Sequence, residues 1–116
     1  NAAARAAVAS VAGQDLLCVL ERMHDKNVLH SDIAVSNLLV GYGPTKRLDH
    51  FFLVDFGVAS GYSAHDKQRP ARKDGLFNGT QDFVSLRVMK CEDTSRRDDL
   101  EALVLCLVCF IRGNKL

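Results

Sequence analysis

The chain has 116 residues, 47% of them hydrophobic and 25% charged, the balance of a folded soluble domain and not of a disordered segment. Fifteen Lys and Arg against 14 Asp and Glu give a net charge of +1, far short of the basic excess expected where nucleic acid is the main partner. The longest uninterrupted apolar run, 102–111, is ten residues, half of the about 20 that a membrane-spanning helix needs, so no membrane span is expected. The Ala-rich start has neither a basic head nor a strongly apolar block, which argues against a signal peptide. Its first residue is Asn and not Met, as in a chain that begins inside a gene product.

In chain order, residues 2–25 read as a helix. Alanine is the strongest helix former, and Val8, Val11, Leu16, Val19, Leu20 and Met23 recur mostly at helical spacing. Gly13 weakens the middle, and Asp25-Lys26-Asn27 should end the helix. Val28-Leu29-His30 is a short extended piece. Leu38-Leu39-Val40 and Phe51-Phe52-Leu53-Val54 suit two strands, and residues 41–50 between them form a turn marked by Gly and Pro. Together these predict an antiparallel hairpin.

Residues 57–79 carry four Gly and one Pro and read as a long loop, of the kind that in compact domains is functional or mobile. Its basic stretch, Lys67, Arg69, Arg72 and Lys73, reads as a solvated loop diluted by Asp66 and Asp74. Ser95 opens a second long helix. Its hydroxyl is placed to cap the Asp98 amide, Asp98, Asp99 and Glu101 suit the positive helix end, and Gly113-Asn114 stops the helix. From residue 102 to 111 this helix is apolar around its whole circumference, so protein should surround it. One other helix and a hairpin cannot do that, and further parts of the fold are expected beyond Leu116.

Cys106 and Cys109 form a C-x-x-C within that apolar stretch. With no second pair of ligands nearby, they read as small apolar core residues and not as a zinc or redox site. The cysteine usage fits a reducing compartment, the cytoplasm or nucleus. His24, His50 and His65 have no partners at ligand spacing and receive no role.

Three polar groups stand out against this pattern. His30-Ser31-Asp32 is followed five residues later by Asn37. Asp55-Phe56-Gly57 follows the second strand directly. Ser95-Arg96-Arg97-Asp98-Asp99-Leu100-Glu101 opens the last helix. A hairpin brings its outer ends together, so Asp32, Asn37 and Asp55 can converge. Two carboxylates and a carboxamide offer oxygen ligands suited to Mg²⁺ carrying phosphates.

With these motifs in this order the sequence resembles a protein kinase: H-x-D-x-x-x-x-N matches the catalytic loop with its Arg replaced, and D-F-G follows across a hairpin. The S-R-R-D-D-L-E run resembles the casein kinase 1 group, as do Pro70-Ala71-Arg72, Phe77-Asn78-Gly79-Thr80 and Val84-Ser85. The resemblance implies an α+β protein-kinase-like fold, of which these residues form a mainly helical C-lobe portion with a small catalytic-loop hairpin. Neither a G-x-G-x-x-G loop nor a V-A-I-K strand occurs, so the N-lobe is expected to lie outside this sequence. These residues alone are then expected to be inactive.

The resemblance implies a Ser/Thr protein kinase using ATP and Mg²⁺ on protein substrates, acidic ones among them. Asp32 would orient the substrate hydroxyl and accept its proton. Asn37 and Asp55 would hold Mg²⁺, with Asp55 bridging metal and phosphates, and Leu39 would form part of the adenine floor. His30 and Phe56 would stack together, Asp99 would anchor the catalytic-loop backbone, and Thr80 would bond toward Asp32.

The departures are Ser31 for the family's Arg, Ala34 for the Lys that contacts the transferring phosphate, Val35 for Pro, and Asp82 where the group has an Arg that helps to bind phosphate on primed substrates. They keep a second reading open, a pseudokinase that binds or scaffolds with weak or no catalysis. A metal-dependent phosphohydrolase built on Asp32 and Asp55 lacks the further His and Asp ligands such sites carry.

Overall fold

The computed structural model describes residues 1–42, 44, 48–62 and 79–113. Helix α1 spans Ala2–Asp25, and Asn1 caps it by accepting from the Ala4 amide at 2.8 Å. Its buried residues, Ala9, Ala12, Gly13, Leu16, Leu20 and His24, recur every three or four positions and so form one stripe. That stripe faces helix α3, Arg96–Arg112. Gly13, which costs helix propensity, has a packing reason: a Cβ there would lie 3.3 Å from Leu107 Cδ1. At the far end Arg5 Nε donates to the Ile111 carbonyl at 2.9 Å, satisfying an acceptor that the end of α3 leaves open.

By length and composition α1 is apolar enough to cross a membrane, which corrects the expectation that no segment qualifies. That expectation rested on unbroken apolar runs, whereas average hydropathy tolerates single charges in an Ala-rich helix. The Leu16 and Leu20 stripe of α1 lies in the core here.

Strands β2 (Leu38–Tyr42) and β3 (Leu48–Leu53) pair antiparallel, with Leu38 opposite Leu53, Leu39 opposite Phe52 and Gly41 opposite His50. The hairpin is longer than its apolar runs suggested, because backbone pairing carries on into Gly41-Tyr42 and Leu48-Asp49-His50. The register shifts between Gly41 and Tyr42. Leu38 and Leu53 are buried, and Phe51 meets Phe110 of α3 with ring centroids 5.7 Å apart. Asp15 of α1 fastens the hairpin by accepting from the Phe51 amide at 2.9 Å.

Two short strands, β1 (Val28–Leu29) and β4 (Ser60–Gly61), form a second antiparallel pair. The sequence reading placed β4 inside a loop; two residues carry too little pattern to be seen without their partner. A 3₁₀ turn at Gln81–Phe83 and the short helix α2, Leu86–Met89, follow. Gly43, Thr45, Lys46, Arg47, residues 63–78, which include His65 and the basic stretch, and residues 114–116 lie outside the described residues.

The core joins α1, α3 and the hairpin base through Leu16, Leu20, Ile33, Ala34, Leu38, Leu53, Phe83, Leu103 and Cys106. Helix α3 buries Ala102, Leu103, Cys106 and Cys109, while Leu100, Val104 and Ile111 are exposed. Burial, and then the neighbouring Cys109, pushes the Cys106 thiol up to about 12. It therefore remains a thiol at neutral pH, a poor ligand and nucleophile, and the C-x-x-C acts in packing.

Candidate active site

Asp99 is the structural centre of the site. It lies in the first turn of α3 and is only 2% exposed. Oδ2 accepts from the His30 amide at 3.0 Å and from His24 Nε2 at 2.9 Å, and Oδ1 accepts from the Ser31 amide at 2.9 Å. A buried carboxylate is tolerated only where such donors replace water. Here they also fix the backbone entering Asp32. Ser31 has a φ of +66°, a left-handed conformation uncommon for a residue with a Cβ, and its bonded amide helps to hold it there.

Beside it, Asp98 is buried as well. Its Oδ2 accepts from the Ser95 amide at 2.7 Å and from Ser95 Oγ at 3.0 Å, and its Oδ1 accepts from Ser85 Oγ at 2.6 Å. The Asp98 carboxylate takes both Ser95 donors while the Asp98 amide donates to the Ser95 carbonyl at 3.0 Å, so the side chain of Asp98 caps the helix start more than the expected serine hydroxyl does. Ser85 Oγ accepts in turn from the Val88 amide at 3.2 Å, which ties the start of α2 to α3.

His30 is fully buried. Its Nε2 lies 3.1 Å from the Val54 carbonyl, and its Nδ1 accepts from the Asp32 amide at 3.2 Å. A carbonyl can only accept, so Nε2 carries the hydrogen and Nδ1 the lone pair. The ring also meets Phe56 edge to face, with centroids 4.9 Å apart. His30 thus links the strand before Asp55 to the loop bearing Asp32.

Asp32 and Asn37 meet directly, and Asp55 follows the residue whose amide bonds to Asn37. Asn37 ends a 3₁₀ turn, Val35–Asn37, and its Nδ2 donates to the Asp32 carbonyl at 2.8 Å and to Asp32 Oδ2 at 3.1 Å. Thr80 Oγ1 donates to Asp32 Oδ1 at 2.9 Å. The Val54 amide donates to the Asn37 carbonyl at 3.0 Å, which carries the hairpin pairing one step further and sets Asp55 next to Asn37. Asp55 has a φ of +65° and is exposed; its Oδ1 accepts from the Gly57 amide at 3.2 Å.

Asn37 spends its amide donor on Asp32, which leaves its oxygen as a ligand, and Asp55, exposed directly after Val54, offers a carboxylate oxygen. Among the described residues no three His, Cys, Asp or Glu side chains converge into a closed cage. Two oxygen ligands fit Mg²⁺, which takes one or two protein oxygens and completes its octahedron with phosphate and water. Leu39 stands half-exposed on β2, at 52%.

Ala34 is 0% exposed and part of the core cluster. Its small side chain is therefore sealed among apolar neighbours, so the position is not simply a cleft wall that lost a cation. Asp82 is exposed in the 3₁₀ turn two residues after Thr80. Arg96 donates to Asn27 Oδ1 at 3.0 Å and lies over Tyr62, 5.4 Å from the ring centroid.

Sequence reasoning missed His24, which joins Asp99 from the last turn of α1, and the second buried carboxylate, Asp98. The signal for His24 was present: it continues the buried stripe of Leu16 and Leu20, and a polar side chain on such a stripe needs a buried partner.

Comparison with known proteins places this geometry in context. The family model described as fungal protein kinase matches residues 11–111. A probable serine/threonine-protein kinase of Dictyostelium discoideum is 35% identical over 103 residues, which cover 88% of this chain and 21% of the relative. Casein kinase I homolog 1 of Schizosaccharomyces pombe is 32% identical over 107 residues, covering 90% of this chain and 24% of the relative. The chain thus spans between a fifth and a quarter of the length of these relatives.

Proposed function

The chain belongs to the fungal protein kinase family, and from that premise we propose that it is the catalytic-loop and activation-segment part of a kinase C-lobe, in a Ser/Thr protein kinase of casein kinase 1 type. The observation that carries this reading is the bonding of Asp32. Its two oxygens are held by Thr80 and Asn37, and Asn37 is tied through its carbonyl to the residue before Asp55. One group is thereby oriented as a base beside two metal ligands.

In this reading Asp32 positions the hydroxyl of a substrate Ser or Thr and accepts its proton. Asn37 and Asp55 hold Mg²⁺, which when bound neutralises charge on the ATP phosphates. Phosphoryl transfer requires little covalent work from the protein, so positioning and charge stabilisation set the rate. Leu39 supplies an apolar floor for the base. Asp82 places an exposed carboxylate beside the substrate-facing loop, so phosphate-primed peptides should have no advantage in kcat/KM over unprimed acidic ones. Placement in the cytoplasm or nucleus belongs to the same proposal, on the cysteine usage read from the sequence.

The test is phosphate transfer by the full-length protein from Mg-ATP to casein. Transfer that Asp32→Asn and Asp55→Asn each abolish is the expected result. The second reading, a pseudokinase, is favoured by the burial of Ala34, which leaves no cation at that position. Tight Mg-ATP binding with no transfer would decide for it, and no binding at all would end both.

A further inference from the structure

The outer face of the hairpin carries an apolar pair to which the site above gives only half a role. Leu39 and Phe52 are direct cross-strand partners and so share one face of the β2–β3 ribbon. The opposite face bears Val40 and Phe51, and Phe51 packs toward α3. Leu39 is 52% and Phe52 47% exposed, on adjacent strands with side chains within reach of each other.

The Phe52 ring has a defined seat. A Cβ on Gly41 would lie 2.8 Å from its Cε2 and 3.2 Å from its Cδ2. The ring therefore lies against bare backbone, a close approach that only glycine at position 41 permits. Seated there, it extends the surface of Leu39 along the strand, away from Asn37. The result is a contiguous aliphatic and aromatic surface on the strand that begins directly after Asn37.

The spacing suggests the occupant. Leu39 lies two strand residues from Asn37, about 7 Å at the rise of a β-strand. A planar base resting on Leu39 leaves ribose and phosphates to bridge toward Asn37 and Asp55. Resting on the kinase reading, we infer that Phe52 is a second base-contacting residue, extending the Leu39 floor under the outer edge of the purine of ATP. Phe52 meets only the base, so its contribution is the same with and without phosphates attached.

The experiment measures affinities of the full-length protein and its Phe52→Ala and Phe52→Leu variants for Mg-ATP, adenosine and Mg-tripolyphosphate. Phe52→Ala should weaken Mg-ATP and adenosine by an equal factor of about 5 to 10, the lower part of the range for base–aromatic contacts. Tripolyphosphate affinity should stay unchanged, and Phe52→Leu should recover part of the loss. Unchanged ATP affinity in Phe52→Ala overturns the inference. So does an equal loss for tripolyphosphate together with a lower melting temperature, the pattern of a ring covered by protein and serving stability. Wild type that binds tripolyphosphate but neither ATP nor adenosine overturns the base platform and leaves the metal ligands standing. Wild type that binds none of the three overturns the kinase reading and this inference with it.

Discussion

The two ends of the hairpin hold their functional residues in opposite ways. The loop His30–Asn37 hangs from buried Asp99 by two backbone amides, with His24 closing the same carboxylate from α1. The segment Asp55–Gly57 is exposed; it is tied by the Gly57 amide on Asp55 and by the contact of Phe56 with His30. The first end is built into the core, and losing its buried anchor Asp99 should cost the fold much of its stability. The second reaches out of the core, so its residues can be changed with effects on chemistry and little effect on stability.

That contrast is broken most sharply at Asp55. In the full-length protein Asp55→Asn should lower kcat by about 10²–10³-fold or more, the scale of losing one preorganised electrostatic contact. Stability should stay within about 0.5 kcal/mol, as for exposed substitutions, because Asn tolerates the left-handed φ found there. Steady-state kinetics beside a urea melt would show it. A large fall in stability would mean that Asp55 is as structural as Asp99.

Asp99→Ala tests the other side. It strands the His30 and Ser31 amides and His24 without an acceptor, and each buried unsatisfied donor costs on the order of 1–3 kcal/mol. A loss of about 3 kcal/mol or outright unfolding is expected in a denaturant melt. Asp99→Asn, which keeps one acceptor oxygen, should lose roughly half as much.

Ala34→Lys sharpens the comparison at the catalytic loop itself. A long side chain forced into a filled core typically costs about 1–3 kcal/mol in packing alone, and burying its ammonium without a partner adds to that. The variant should melt earlier, whatever it does to the rate. A higher kcat with unchanged melting would show instead that the core opens at this position and that a cation there reaches substrate.

A pH-dependent effect concerns the core beneath both regions. The folded Cys106 thiol is pushed up to about 12 by burial and by Cys109, above the ordinary range near 8.5 that it regains on unfolding. The folded state therefore holds its proton more tightly. The associated stability is complete below about pH 8.5 and is lost as pH rises toward 12, with a slope of up to about 1.4 kcal/mol per pH unit. Melts of wild type and Cys106→Ala from pH 8 to 11 should differ in slope, the variant being flatter. Parallel slopes would place Cys106 closer to solvent.

The sequence by itself determined whatever rests on local pattern. Helical spacing and alanine content set α1 from Ala2 to Asp25, and Ser95 and Gly113 bound α3. The hairpin followed from two apolar runs around a turn, and placing motifs at its two ends led to the meeting of Asp32 with Asn37 and to Asp55 one residue after Val54, the backbone partner of Asn37. Only the tertiary structure decided what depends on residues far apart in the chain. Asp99 meets Ser31, His30 and His24 across 68, 69 and 75 positions. No periodicity encodes such a separation; that Asp99 anchors the catalytic-loop backbone was expected from the family resemblance alone, and its bond to His24 was not expected at all. The pairing of β1 with β4 and the seat of Phe52 on Gly41 were hidden for the same reason. So was the burial of Ala34: a small side chain is compatible with core and surface alike, and only the neighbours that close around it decide.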